Sequence, residues 1–378
     1  MKTYLFFAMC AIVLSFLLLR LRRRPSVTRG QVDAIVPAFN EAICLENTLR
    51  SLYFNPYVNR VICVNDGSTD ETGAALDEWA RANPRLVAVH QENTGKGGAI
   101  MRGLEHVTAP YVFLTDADTY VPARGAGLGY MIAELEAGAD AVGGIPSSDL
   151  RGSGLLGYIR ATVKLPMIVV KRTFQQILGG APFIISGACG MFRADVLREV
   201  GLSDRTKVED LDLTWELVGR GFKVRQANRC VVYPQECKSV REDWRRWRRW
   251  IMGYAICMRL HRRLLLTRFG LFSILPMFLV AALGILIHAI GWTQTALAGS
   301  PDRIPMLLFP LLWVAAVCAI GLISAIHHGK ALLVLLAPLA VLYVLLSYAV
   351  WLIHGLKALI TGRELGRDKP TRYVRVVA

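Results

Sequence analysis

Five stretches of the chain carry residue types that could act together on a phosphorylated substrate. V-I-C-V-N-D-G-S sets Asp66 at a tight turn just before a helical run, where its carboxylate could grip a base and ribose; the same N-D-G-S also serves as a plain Asx turn capping a helix. The preceding apolar run ends V-P-A-F-N-E, which brings Pro37, Asn40 and Glu41 to the same crevice. N-T-G-K-G-G offers Gly95, Gly97 and Gly98 for close approach of backbone amides to a phosphate, with Lys96 supplying charge. Its spacing is not that of a Walker loop, and a plain turn before a helix would look the same. Y-V-F-L-T-D-A-D ends a buried strand in Asp116 and Asp118. One residue between two carboxylates lets one face a nucleotide while the other, Asp118, binds a hard cation. Mg2+ or Mn2+ bridging two phosphates would stabilise a leaving diphosphate.

K-V-E-D-L-D puts Glu209, Asp210 and Asp212 in the first turn of an amphipathic helix, where the helix dipole alone would favour them. A sugar transfer that inverts the anomeric centre needs one carboxylate to take the acceptor's proton, and Asp210 is the candidate, with Glu209 beside it. W-R-R-W-R-R-W interleaves tryptophan and arginine. Indole faces suit sugar rings and guanidinium suits a diphosphate, while a helix lying at a membrane surface uses the same residues.

The elements that must position these residues alternate. V-D-A-I-V-P-A-F, V-N-R-V-I-C-V-N-D-G-S, R-L-V-A-V-H-Q-E-N and A-P-Y-V-F-L-T-D-A-D read as buried strands that end in polar residues; A-I-C-L-E-N-T-L-R-S-L-Y-F and E-T-G-A-A-L-D-E-W-A-R-A-N between them have helical spacing. Strand, helix, strand, helix predicts an α/β domain on a parallel sheet, with ligands at the carboxyl ends of the strands.

Apolar residues concentrate at the two ends of the chain. Residues 4–19 contain no charge and run into R-L-R-R-R, the arrangement of an uncleaved anchor whose arginines stay cytoplasmic. Segments near 271–292, 304–326 and 331–353 each approach the ~20 residues that span a bilayer. The resulting division is an anchor over 1–24, a cytoplasmic domain over 25–240, an interfacial amphipathic region over 241–268, transmembrane helices over 269–356 and a basic tail over 357–378. Three crossings would leave that tail outside, yet its Lys357, Arg363, Arg367, Lys369, Arg372 and Arg375 favour the cytoplasm.

The net charge of +15 sits mostly beside apolar segments, which points to anionic lipid headgroups and away from nucleic acid. The eight cysteines show neither C-x-x-C pairs nor zinc spacing, so they are expected to be reduced thiols.

Taken together these motifs resemble the membrane-bound branch of the inverting glycosyltransferase family that contains cellulose, chitin, hyaluronan and poly-N-acetylglucosamine synthases. That family has, in order, a D-G aspartate, a D-x-D, a T-E-D and a Q-x-x-R-W. The matching positions are Asp66, Asp116 with Asp118, Glu209 with Asp210, and Arg249 with Trp250. The resemblance implies a glycosyltransferase A-type, Rossmann-like nucleotide-sugar domain joined to an α-helical transmembrane region, multi-pass in the inner membrane. It implies Asp66 on the uracil, Asp116 and Asp118 on the diphosphate and metal, and Asp210 as general base. Arg249 and Trp250, with Arg246, would hold the pyrophosphate and acceptor sugar, and I-S-G-A-C-G-M-F-R resembles the loop near the acceptor, which places Ser186, Gly187 and Cys189 at that end.

Two positions depart from the pattern. Val208 replaces the usual Thr, and Arg246 replaces Gln, giving an R-x-x-R-W that looks like the ceramide glucosyltransferases, which add one sugar to a lipid. The expectation is transfer from a UDP-sugar to a growing β-linked polysaccharide; the alternative is a single sugar added to a ceramide- or diacylglycerol-type membrane lipid. Membrane lipids and a small membrane subunit are the expected partners. A transporter or scaffold with a degenerate sugar-binding domain is a rival that the full set of carboxylates disfavours.

Overall fold

A computed structural model describes residues 24–277, 304–363 and 371–374, with isolated residues between 279 and 296. The expected anchor over 1–24, apart from Arg24, and the middle of the apolar segment 271–292 lie outside the described residues. In chain order the elements are β1 (Val32–Ala38), α1 (Ala42–Tyr53), β2 (Val58–Asp66), α2 (Thr72–Ala82), β3 (Leu86–Gln91), α3 (Gly95–Leu104), β4 (Tyr111–Leu114), β5 (Thr119–Tyr120) and α4 (Gly127–Glu136). They continue with β6 (Ala141–Pro146), α5 (Gly154–Phe174), β7 (Gly190–Arg193), α6 (Ala194–Val200), α7 (Glu209–Gly219), β8 (Val224–Pro234) and α8 (Val240–Leu260).

The eight strands form one sheet in the order β3-β2-β1-β4-β7-β6-β8-β5. Strand residues alternate between two cores: Val32, Ala34, Val36 and Ala38 of β1 face the layer of α1 and α4, while Ile35 faces the layer of α3 and α7. Strands β1 to β4 are parallel as the alternation predicts, with β1 between β2 and β4. The chain goes one way from β1 to β3 and then returns to the other flank of β1, so a crevice opens at the ends of β1 and β4. The rest of the sheet departs from the parallel expectation. β7 lies between β4 and β6 and runs antiparallel to both, since the chain re-enters the sheet after α5 in the reverse direction. At four residues, β7 has no periodic signature of its own.

Beyond the sheet, α8 starts at a capping box in which Ser239 accepts from the Glu242 amide at 3.2 Å. α9 (Ile304–His328), α10 (Leu332–Leu335) and α11 (Ala337–Thr361) follow. α11 starts some six residues later than the apolar pattern suggests, because Pro338 occupies its first turn; it stops at Gly362, which takes the left-handed conformation at φ 67°. α11 is long and apolar enough to cross a membrane. It lies along α8: Trp247 Nε1 donates to the Tyr343 hydroxyl at 3.0 Å, Ile251 packs with Val350 and Trp351, and Met252 and Ala255 pack on Ala358. Its opposite side leaves Leu339, Leu342, Leu346, Ile353, Leu356 and Ile360 exposed as one helical stripe.

Candidate active site

The crevice is part of a cavity of about 2080 Å³ that runs from the carboxyl ends of β1, β2 and β4 to α8 and α11. Pro37 and Glu41 reach it from the end of β1, Asp66 from β2, and Asp116 and Asp118 from the turn after β4. Lys96 enters from the first turn of α3, Ser186 and Gly187 from the loop before β7, and Glu209 and Asp210 from the first turn of α7. Arg246, Arg249 and Trp250 close it from α8.

Asp66 is held by the strand-to-helix turn it ends. Its carboxylate accepts from the backbone amides of Thr94 and Gly95 at 2.8 and 2.9 Å and from Gln91 Nε2 at 2.8 Å. Gly67 takes φ 69°, and a Cβ there would meet the Asn93 nitrogen at 2.7 Å, so only glycine lets this loop pack against the aspartate. Asn40 is a correction to the expected set: it does not line the cavity. Its φ is 52°, its side chain accepts from the Thr69 amide at 2.7 Å, and its own amide donates to Ser68 Oγ, so it fixes the two strand-end turns to each other.

Asp116 and Asp118 diverge, as a one-residue gap requires. Asp116 Oδ1 accepts from Lys96 Nζ at 2.5 Å, and the same ammonium lies 3.4 Å from Glu209 Oε1. Asp118 points the other way, to the guanidinium of Arg372, which also forms two 2.8 Å bonds to Glu41. A cation thus already sits on Asp118, and the hard oxygens of Asp118 with its neighbours suit a divalent metal. Among the described residues no three His, Cys, Asp or Glu side chains form a metal cage, so phosphate oxygens would have to complete the shell.

Asp210 is half-buried, in the first turn of α7, and lines the cavity. Gly187 N–H donates to its Oδ2 and Leu211 N–H to its Oδ1, each at 2.9 Å. Burial, and then the neighbouring Glu209 charge, raise its pKa above the ordinary aspartate value, with Lys96 and the Gly187 amide pulling partly the other way. A Cβ at Gly187 would meet Lys96 Nζ at 2.6 Å, so glycine here lets lysine and aspartate converge. Asp212 serves a different purpose: it turns to Arg205 at 2.9 Å and His261 at 2.6 Å, tying α7 to the end of α8. Val208, the departure from Thr, is buried against Gly253 of α8, where a Cβ would come within 2.5 Å of its side chain.

Arg246 borders the cavity, but its guanidinium pairs with Glu236 at 3.0 Å and Asp243 at 2.7 Å and lies 5.2 Å from the Trp250 ring. Arg160 and Lys164 of α5 join the same two carboxylates, so three cations meet two anions in a buried network under α8. Cys189 is a second correction: it lies in the sheet core with its sulfur 3.9 Å from that of Cys230, because alternate residues of β7 and its approach face opposite sides and Ala188 takes the cavity side. Sequence reasoning missed Glu236, Asp243 and the site role of Arg372. The only hint was charge, a glutamate just after a strand and a basic tail.

Similarity to known proteins bears on the family and the fold. Residues 33–201 match the family described as Glycosyl transferase family 2. The chain is 62% identical to the uncharacterized glycosyltransferase YaiP of Escherichia coli strain K12 over 378 residues, 100% of this chain and 95% of that one. It is 27% identical over 242 residues to the poly-β-1,6-N-acetyl-D-glucosamine synthase of Staphylococcus aureus strain COL, covering 62% of this chain and 57% of that protein. Among solved structures it resembles the mannosyltransferase PcManGT from Pyrobaculum calidifontis in complex with GDP-Man and Mn2+, with a TM-score of 0.51, 22% identity and coverage of 88% and 96% of the two chains. That likeness carries the fold.

Proposed function

Because the chain belongs to glycosyl transferase family 2 and is a glycosyltransferase, we propose that it transfers a sugar from a UDP-sugar, with inversion, to a growing β-linked polysaccharide at the cytoplasmic face of the inner membrane. The observation that carries this reading is the convergence of carboxylates from β1, β2, β4 and α7 on one cavity whose far wall is the Arg249–Trp250 turn of α8. Asp66, with Pro37 and Glu41 nearby, holds the nucleotide end. Asp116, through Lys96, and Asp118 would hold Mg2+ or Mn2+ and the diphosphate; the metal's chemistry is to neutralise charge on the leaving group. Asp210, raised in pKa by burial, takes the acceptor's proton, and Glu209 and Lys96 set its charge. Arg249 faces the diphosphate end and Trp250 the acceptor sugar, and Arg246 orients the Trp250 ring. The S. aureus relative, which makes a polymer by its name, supports the polysaccharide acceptor over the part of it that this chain matches.

A second reading, one sugar added to a membrane lipid, is favoured by the cavity's far end. There Phe272, Met277, Ile320, Ile323 and Trp351 make an apolar wall, the last of them from α11. Membranes containing the protein, incubated with labelled UDP-sugars and Mn2+, decide between them: a polymer ladder supports the first reading and a single extractable glycolipid the second. Full transfer in excess EDTA would remove the metal from either. In the same membranes Trp250→Ala should reduce labelled product more than it reduces UDP release to water, and equal losses would move Trp250 to the donor or the fold.

A further inference from the structure

Residues 371–374 are remote from the site in sequence and pressed against it in space. Thr371 donates to Glu242 Oε1 through its amide at 3.3 Å and its hydroxyl at 2.5 Å. Tyr373 is buried: its carbonyl accepts from Gln235 Nε2 at 2.7 Å, its hydroxyl accepts from the Glu236 amide at 3.3 Å, and Lys238 Nζ lies 4.4 Å from its ring centroid. These two anchors on either side leave Arg372 little choice of direction. Its Nε and one terminal nitrogen donate to the two oxygens of Glu41 at 2.8 Å each, and its other terminal nitrogen pairs with Asp118 Oδ2. The three side chains are all mostly enclosed, at 15% exposure for Arg372, 8% for Glu41 and 10% for Asp118.

Asp118 is the carboxylate that the donor-site reading gives to the metal, and in this arrangement its outer oxygen already has a cation. A guanidinium and a divalent ion cannot share that oxygen without strong like-charge repulsion in a poorly hydrated crevice. A bare dication would have to push Arg372 off both carboxylates and leave it without an anion. A metal that arrives with a nucleoside diphosphate brings phosphate oxygens of its own, and a guanidinium fork fits a diphosphate as well as it fits Glu41.

We propose that Arg372 holds the place of the divalent cation on Asp118 and Glu41 while the donor site is empty, and that a metal takes Asp118 only together with a nucleoside diphosphate, to whose oxygens Arg372 transfers. The tail then acts as a strap that couples metal binding to donor binding. This rests on the reading of Asp118 as the metal carboxylate.

The test is Mn2+ binding by the full-length protein in detergent, measured by electron paramagnetic resonance with and without UDP or GDP. The wild-type protein should bind Mn2+ weakly alone and at least about tenfold more tightly with a nucleotide. Arg372→Ala should raise nucleotide-free Mn2+ affinity on the order of tenfold and so narrow the gap between nucleotide-free and nucleotide-bound Mn2+ affinity, leaving the part that the phosphate oxygens supply. Tyr373→Ala, which loosens the strap without touching a carboxylate, should shift nucleotide-free affinity in the same direction. Unchanged nucleotide-free affinity in both variants, with nucleotide-dependent binding intact, overturns the place-holder while the donor-site reading stands. Failure of any nucleotide to recruit Mn2+ to the wild-type protein overturns that reading and the place-holder with it.

Discussion

Asp210 is held by two amide donors, the Lys96 charge favours its ionisation, and its neighbour Glu209 opposes it. Two expectations follow at this scale. Asp210→Asn should lower turnover by ~10²-fold or more while leaving nucleotide affinity nearly unchanged, the signature of a group used in the transition state; an equal loss of nucleotide binding would place Asp210 in the donor site. The second concerns pH. A base works only when ionised, so with a pKa raised above the ordinary 3.8 the acid limb of the rate profile should lie above the usual aspartate range. Glu209→Gln removes the like charge and should move that limb to lower pH; a limb that stays in place would take Asp210 out of the titration. The sign for stability is opposite. A raised folded pKa favours folding below the unfolded value and is lost as pH rises through the folded one, so the ionised carboxylate is a cost at neutral pH.

The residues that were legible in the sequence are those whose signal is local. Asp66, Asp116 with Asp118, and Glu209 with Asp210 each sit at a strand end or helix start that the chain announces within a few positions. Arg372 was readable only as tail charge, because its partner Glu41 lies 331 residues away. Asn40 and Cys189 carried the right neighbours but the wrong facing, which depends on a single residue of alternation or one left-handed turn.

At the scale of elements, α8 brings Arg249 and Trp250 to the cavity, and it is seated by charge as well as by packing. Glu236 touches Arg160, Lys164 and Arg246 at 2.9, 2.6 and 3.0 Å, and their pull overcomes burial to hold its carboxyl far below the ordinary glutamate range. Glu236→Ala would leave buried cations with one carboxylate fewer and should cost about 3–5 kcal/mol, read as a clear drop in the thermal midpoint in detergent. An unchanged midpoint would mean that water enters and solvates the cations. Because the folded pKa is depressed, Glu236's contribution is present above the ordinary glutamate value and disappears as acid titrates it, so the variant and parent should converge at low pH. The strands β1 to β4 and helices α1 and α2 were legible from period and turn residues. α5 was not: Pro166 lies inside it, and it contacts α9 as well as the sheet, so no face is left polar enough to show a period.

For the whole molecule, α8 and α11 meet along one seam that borders the cavity, and the apolar stripe of α11 lies on the side turned away from α8. Composition located the apolar helix α11, although its start depended on Pro338 and on the break at α10, which hydropathy does not register. The strap formed by residues 371–374 has one more consequence, and it is a matter of parity. A chain that leaves one side of a sheet and comes back to that same side has pierced it an even number of times. The backbone leaves the domain after α8 and touches it again at Thr371, so on the proposed reading that the segments between cross a membrane, they cross it an even number of times and not three. Val374, 69% exposed beside the strap, offers the check. In sealed inside-out vesicles Val374→Cys should gain a membrane-impermeant maleimide label over the parent protein, whereas labelling confined to right-side-out vesicles would detach the tail from the domain. On that reading Arg372 and the carboxylates of the site share one aqueous compartment, and the conflict between charge and segment number dissolves.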